Sequence, residues 1–168
     1  HKEKHKSICS IGVRKQSSEN GSVILIGFCF GFIVYYVDLL DQHDEIMMIV
    51  TSLYHYLKNL IITGFHVDRD WGTIWDLAGK PVTENKQRII NLKCSGNASF
   101  KEINSLLKSH GQPVLKRSKK LLRWNVRPLP EKHLQDFGNE LLASYCLCLK
   151  NSIKMVESET NEFKPVRA

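Results

Sequence analysis

An uncharged run of fifteen residues, from Val23 to Val37, constrains the fold of this chain more than any other feature. Asn20-Gly21 stands just before the run, and Asn-Gly between apolar segments favours a tight hairpin turn. The run is rich in β-branched and aromatic side chains, which pack well inside a sheet. Extended by two residues and made helical, it would measure about 25 Å, short of a hydrocarbon core of ~30 Å. The pattern therefore favours a buried strand.

A membrane span is the alternative that the sequence leaves open. Gly27 and Gly31 have the spacing of close helix contacts in membranes, and basic residues precede the run, as expected for a cytosolic amino end. This alternative predicts a membrane-anchored protein with one span at about 21–40. The glycosylation sequon at Asn97 would then lie on the far side of the membrane.

Length and composition indicate one globular domain. The chain has 168 residues, with 42% hydrophobic and 24% charged residues, close to globular averages. The chain has five cysteines, and their spacing is not that of a disulfide framework, which favours a reducing compartment. We expect an intracellular protein, nuclear rather than cytoplasmic. Because the sequence begins with His1 and not Met, we expect a fragment or a processed form.

Turn signals and apolar periodicity divide the chain into strands and helices. Ser7–Lys15 is expected to form a hairpin with the uncharged run, and 65–93 a second hairpin. Asp41–Ile62 carries an apolar stripe at helical spacing. Helices are also predicted after the capping box that begins at Ser99 and from Leu134 onward. The sequence thus predicts a single α+β domain, an antiparallel sheet packed against two or three amphipathic helices.

The predicted domain covers residues 7–154, between a flexible end at 1–6 and a frayed tail at 155–168. The net charge of +7 is concentrated in one segment of this domain, 101–127. That segment has eight basic residues against one acidic residue, whereas the rest of the chain has sixteen of each. We call 101–127 the basic segment.

The basic segment is the candidate binding site. Basic side chains attract phosphates by releasing counterions, and an aromatic ring can stack on an unpaired base. If the segment is helical, Lys116, Lys120, Arg123 and Arg127 share one face; a strand is the alternative. A solvated surface would explain the same charges. The candidate residues are Lys116, Arg117, Lys119, Lys120, Arg123, Trp124 and Arg127.

Acidic residues in the middle of the chain form a candidate metal site. On a strand, His66, Asp68 and Asp70 would alternate onto one face and converge on a divalent cation. With Glu84-x-Lys86, they resemble the carboxylate and E-x-K pattern of restriction-nuclease-like enzymes. The resemblance implies that Asp68 or Asp70 holds a metal with Glu84, and that Lys86 positions the hydrolytic water. The same pattern is equally typical of the solvent-exposed face of a strand that binds no metal.

The sequence favours a non-enzymatic interaction domain, a subunit or fragment of a larger intracellular assembly. Its basic segment would contact nucleic acid or an acidic protein partner, and no cofactor is expected. The membrane-anchored protein and a metal-dependent nuclease-like domain are the two alternatives.

Overall fold

The computed structural model describes residues 7–16, 21–42, 44–79, 89–92, 100–115 and 123–162. These residues form five strands and four helices, a single small α+β domain, which confirms the predicted fold class. The strands are β1 (Ile8–Lys15), β2 (Val23–Phe30), β3 (Ile33–Asp38), β4 (Ile61–Gly64) and β5 (Ile89–Asn91). The helices are α1 (Ile46–Leu57), α2 (Val67–Leu77), α3 (Phe100–Ser109) and α4 (Glu131–Glu162).

The sheet has the order β3-β2-β1-β4-β5 and is mixed. β1, β2 and β3 are antiparallel, so the predicted hairpin between Ser7–Lys15 and the uncharged run is confirmed. β4 lies parallel to β1, and β5 lies parallel to β4. The antiparallel description therefore holds for three strands and not for the other two.

The uncharged run forms two strands and not one. Gly31 and Phe32 both have positive φ, 58° and 65°, and reverse the chain between β2 and β3. This pair of angles is that of the tight turn whose twist matches antiparallel strands. The alternative of a helical span at 21–40 is therefore wrong. Within the described residues, no helix is long and apolar enough to cross a membrane.

Two other predicted elements need correction. The helix expected over Asp41–Ile62 spans only Ile46–Leu57, and the chain then enters β4. The second hairpin expected over 65–93 does not form, because 67–77 is helix α2 and β5 pairs in parallel with β4. The helix predicted after the capping box is confirmed as α3, and the last helix as α4.

Helices cover the sheet on both faces. On one face, α1 and α2 bury an apolar cluster that includes Ile26, Leu57 and Trp71. On the other, α4 packs with Phe137 and Leu141 against β1 and β2. The first six residues of β1 are buried, as expected for a central strand between two helical layers. The core thus fixes the surface of β1 that faces α4, where the candidate site lies.

Candidate functional site

Alternate residues of β1 point toward α4. Ser10 donates its hydroxyl to the carbonyl of Leu141 at 2.6 Å, and Arg14 reaches Glu140. Gly12, between them, faces the ring of Phe137. This period of two follows from the strand itself and sets Ser10, Gly12 and Arg14 in a row under one helix.

A pair of glycines lets α4 approach the sheet closely. Gly12 and Gly27 are directly opposite each other on β1 and β2. A Cβ added at Gly12 would lie 2.7 Å from Phe137 Cε2, and one at Gly27 would lie 2.6 Å from Leu141 Cδ1. The surface beside Arg14 is therefore closed by an aromatic and an aliphatic side chain.

Arg14 lies at the end of this row, half-buried among charges and rings. Its Nη2 donates to Glu140 Oε2 at 2.7 Å. Its guanidinium carbon lies 3.9 Å from the ring centroid of Phe137 and 5.4 Å from that of Trp124. Stacking on aromatic faces and pairing with a carboxylate suit a planar guanidinium better than an ammonium.

The charge of Arg14 also affects the carboxyl group of Asp70, which lies on α2. Its side chain is buried, and burial raises its pKa to about 6. Arg69, which pairs with it at 3.6 Å, and Arg14 lower that pKa, whereas Glu140 raises it. We call Arg14, Asp70, Trp124, Phe137 and Glu140 the Arg14 cluster. Within it Arg14 and Glu140 are in direct contact, whereas Asp70 is linked to them only through the electrostatic effect on its pKa.

Sequence reasoning found Asp70 and Trp124 but missed Arg14, Glu140 and Phe137 as parts of a site. The one signal for Arg14 is its position at the end of the apolar strand Ile8–Val13, on the face of Ser10 and Gly12. Glu140 and Phe137 lie three residues apart on a long helix, a spacing that is equally ordinary in a surface helix. Their meeting with Arg14 depends on the tertiary fold.

The candidate metal residues His66, Asp68 and Asp70 do not lie on one face, as they would if this segment were a strand. Since 67–77 is helical, His66 precedes the helix, Asp68 is exposed and Asp70 is buried. Asp68 Oδ2 accepts a hydrogen bond from Asn91 Nδ2 at 2.7 Å. Glu84 and Lys86 lie outside the described residues. Among those described, no three His, Cys, Asp or Glu side chains are grouped closely enough to hold a metal ion.

The basic segment is described only at its two ends. The predicted site residues Lys116, Arg117, Lys119 and Lys120 lie outside the described residues. Arg123 is exposed and Trp124 is half-buried. Residues 123–127 are irregular, so neither of the two alternatives, a helix with Arg123 and Arg127 on one face or a strand, describes this end of the segment.

Arg127 is already engaged by a carboxylate. Its Nε donates to Asp38 Oδ2 at 2.6 Å, and its Nη2 to Asp38 Oδ1 at 2.5 Å. This two-point contact lowers the pKa of Asp38 and raises that of Arg127. Nη1 of Arg127 also donates to the carbonyls of Trp124 and Val126. Arg127 therefore ties the end of the basic segment to β3 and has fewer donors left for a phosphate.

Comparisons with known proteins identify a fold but no family. No family model matches the chain, and no curated protein matches it. Among solved structures, the crystal structure of the Aedes aegypti Nibbler EXO domain is similar, with a TM-score of 0.59. The sequence identity is 14%, and the match covers 86% of this chain and 75% of that chain. The chain therefore shares its fold with an EXO domain.

Proposed function

We propose that this chain is a non-enzymatic nucleic-acid-binding domain built on the fold of an EXO domain. The observation that carries the proposal is the ion pair of Arg14 with Glu140, at 2.7 Å between Nη2 and Oε2. The guanidinium already neutralises this carboxylate and would repel a divalent cation from it, because like charges repel each other.

The apolar surroundings support the same proposal. Metal-assisted hydrolysis needs oxygen ligands and room for a water and a phosphate beside the ion. Phe137 and Leu141 instead fill the space that side chains at positions 12 and 27 would need, since a Cβ at Gly12 would lie 2.7 Å from Phe137 and one at Gly27 would lie 2.6 Å from Leu141. The rings of Phe137 and Trp124 flank the guanidinium. This arrangement stabilises packing between the sheet and α4.

Nucleic-acid contact is assigned to the basic segment. Its net charge of +7 equals that of the whole chain, so the excess positive charge of the sequence is concentrated there and favours a polyanionic partner. Trp124 anchors the carboxyl end of the segment to α4, with its ring 5.6 Å from that of His133 and 5.8 Å from that of Phe137. The carboxyl end of the segment is thus held against α4 by aromatic contacts. A larger intracellular assembly, nuclear in location, belongs to the same proposal.

The test combines binding and cleavage in one assay. A labelled single-stranded oligonucleotide is titrated with protein across a salt series, with Mg²⁺ or Mn²⁺ present, and its length is then checked by gel. We expect binding that weakens as salt rises, with the oligonucleotide intact. Lys119→Glu/Lys120→Glu should lower the steepness of the salt dependence by about one to two counterions.

A matched control separates local charge from total charge. Lys58→Glu/Lys132→Glu changes the net charge equally at two exposed lysines outside the basic segment. We expect this variant to bind nearly as the wild type does. Equal losses in both variants would mean that only total charge matters, and absent binding would favour an acidic protein partner.

A metal-dependent nuclease is the second candidate, favoured by the likeness to an EXO domain. It predicts divalent-dependent shortening of the oligonucleotide that disappears in Asp70→Asn. Cleavage with that dependence would overturn the non-enzymatic proposal.

A further inference from the structure

Among the strands that the structure describes, β3 lies at one edge of the sheet and has one unpaired side. It pairs with β2 alone, and it is the outermost strand of the sheet formed by the described residues. Phe30 and Ile33 flank the two-residue turn and form a hydrogen-bonded pair, and such pairs alternate along antiparallel strands. The backbone groups of Val34, Tyr36 and Asp38 therefore point away from β2. No described residue hydrogen-bonds to the backbone of Val34 or Tyr36 on that side.

The edge lacks the features that protect edge strands from pairing. Natural edges carry lysine, proline or an inward charge, which discourage another strand from adding. β3 reads IVYYVD and carries its only charge at its last residue. Ile33 is 58% exposed and Tyr35 is 42% exposed. The edge therefore offers both hydrogen-bonding groups and apolar side chains.

Exposed apolar side chains occur together at this edge. Nine large hydrophobic residues are exposed among those described, and four of them, Phe32, Ile33, Tyr35 and Tyr36, lie in the β2–β3 turn and on β3. Neighbouring exposed apolar side chains favour a binding surface over scattered exposure.

The negative charge around this surface favours a basic partner. No lysine or arginine occurs between Lys15 and Lys58, whereas five acidic residues do. Asp41, Asp44 and Glu45 are exposed in the loop that joins β3 to α1. At the end of β3, Asp38 already holds the guanidinium of Arg127. The structure thus contains one example of a cation bound at this edge.

We propose that the outer edge of β3, with the nearby carboxylates of Asp41, Asp44 and Glu45, binds an extended basic peptide segment as an added strand. The main-chain groups of Val34 and Tyr36 would form its ladder, and Ile33 and Tyr35 would contact its apolar side chains. Its lysines or arginines would face Asp41, Asp44 and Glu45. A second copy of β3 fits less well, because pairing would add two strands with no basic residue. This inference is independent of nucleic-acid binding.

The test uses a labelled peptide of alternating valine and lysine, followed by fluorescence anisotropy. We expect binding that weakens with salt, and no binding of the same peptide with glutamate in place of lysine. Val34→Pro removes the outward N–H and should weaken binding about tenfold, the effect of losing one to two hydrogen bonds. Val34→Ala, which also trims the side chain but keeps the N–H, should bind within about twofold of the wild type.

Charge is tested separately with Asp41→Asn/Asp44→Asn/Glu45→Gln. Asparagine tolerates the positive φ of Asp41, 62°, so this variant should keep its fold. It should bind more weakly and lose most of the salt dependence. Equal affinity for Val34→Pro and Val34→Ala, equal affinity for both peptides, or no binding at millimolar peptide would overturn the proposal. Dimerisation abolished by Val34→Pro, without peptide binding, would assign the edge to a second copy.

Discussion

At the scale of single residues, two glycines decide how the layers fit together. Gly12 and Gly27 face each other across β1 and β2, and the rings and methyl groups of α4 rest on them. Any side chain at either position would have to displace Phe137 or Leu141. The two glycines therefore stabilise the packing because they have no side chain, and not because their backbone adopts a conformation that only glycine allows.

Gly27→Ala should destabilise the protein by about 1–3 kcal/mol, the usual effect of overpacking a core. The added Cβ would lie 2.6 Å from Leu141 Cδ1 and 2.8 Å from Phe137 Cε1. Gly72→Ala is the control, because a Cβ there meets nothing within 4 Å. Since Gly72 lies in α2, alanine should stabilise it by about 0.5–1 kcal/mol. Urea denaturation of both variants measures the contrast, and shifts of the same sign would contradict it.

The buried carboxyl of Asp70 predicts how stability depends on pH. Burial raises its pKa from 3.8 to about 6, so the folded state keeps its proton at pH values where the unfolded chain has lost it. The free energy of unfolding therefore falls as the pH rises through this window, by at most about 3 kcal/mol. Asp70→Asn cannot titrate and should remove that dependence.

The expected result is a difference that grows with pH. Near pH 4, wild type and Asp70→Asn should have similar free energies of unfolding, and by pH 8 the variant should be the more stable. Chemical denaturation at several pH values measures this, with Asp76→Asn on the exposed side of α2 as the control. If the free energies of unfolding of wild type and Asp70→Asn changed with pH in parallel, burial would not raise the pKa of the Asp70 carboxyl.

At the scale of elements, the turn between β2 and β3 converts an apolar run into a hairpin. Gly31 has φ 58° and Phe32 has φ 65°, values that β-carbons disfavour. Phe32 is held by an edge-to-face contact with Tyr145 of α4, at 5.1 Å between ring centroids. The contact offsets part of the conformational cost at Phe32.

Gly31→Ala should destabilise the hairpin by about 1 kcal/mol, because a Cβ at positive φ clashes with its own backbone. Nothing else lies within 4 Å of that Cβ, so the effect isolates conformation from packing. Gly31→Asn should cost less, since asparagine tolerates this region. Thermal unfolding of the two variants gives the comparison. An alanine variant as stable as the asparagine variant would contradict the turn geometry.

The sequence predicted most elements correctly where one periodicity dominated. The hairpin of β1 and β2 followed from alternation and Asn-Gly, and α3 from its capping pattern. α2 was missed because residues 65–76 contain short alternations that suggest a strand. The helical signal was present as Val67, Trp71, Ile74 and Trp75, spaced by four, three and one, all buried in the structure. With only eleven residues and one glycine, this stripe was too short to decide against a strand.

The candidate site was less predictable than the fold, for a physical reason. Arg14 and Glu140 come from β1 and α4 and are 126 residues apart, so their contact depends on how α4 packs against the sheet. A local sequence pattern does not indicate contacts between residues that are distant in the chain. The excess charge of the basic segment, in contrast, is visible in the sequence without any fold, and its role in binding stays a prediction.

At the scale of the whole molecule, charge is separated along the chain. The stretch between Lys15 and Lys58 has five acidic residues and no lysine or arginine, whereas the basic segment has a net charge of +7. The first stretch includes β2, β3 and α1, and the second includes α3 and the approach to α4. Such separation favours two different partners, because each surface repels the ligand of the other.

This separation predicts two distinct footprints in hydrogen exchange. A single-stranded oligonucleotide should slow amide exchange in 101–127 and leave β3 unchanged, because phosphates are repelled by Asp41, Asp44 and Glu45. The basic peptide should slow exchange at Val34 and Tyr36, whose N–H groups would become donors in a new ladder. β1, buried between two helical layers, should exchange slowly in every state. Protection of β3 by the oligonucleotide would mean that both ligands share one surface, and would contradict the assignment of two partners to opposite charges.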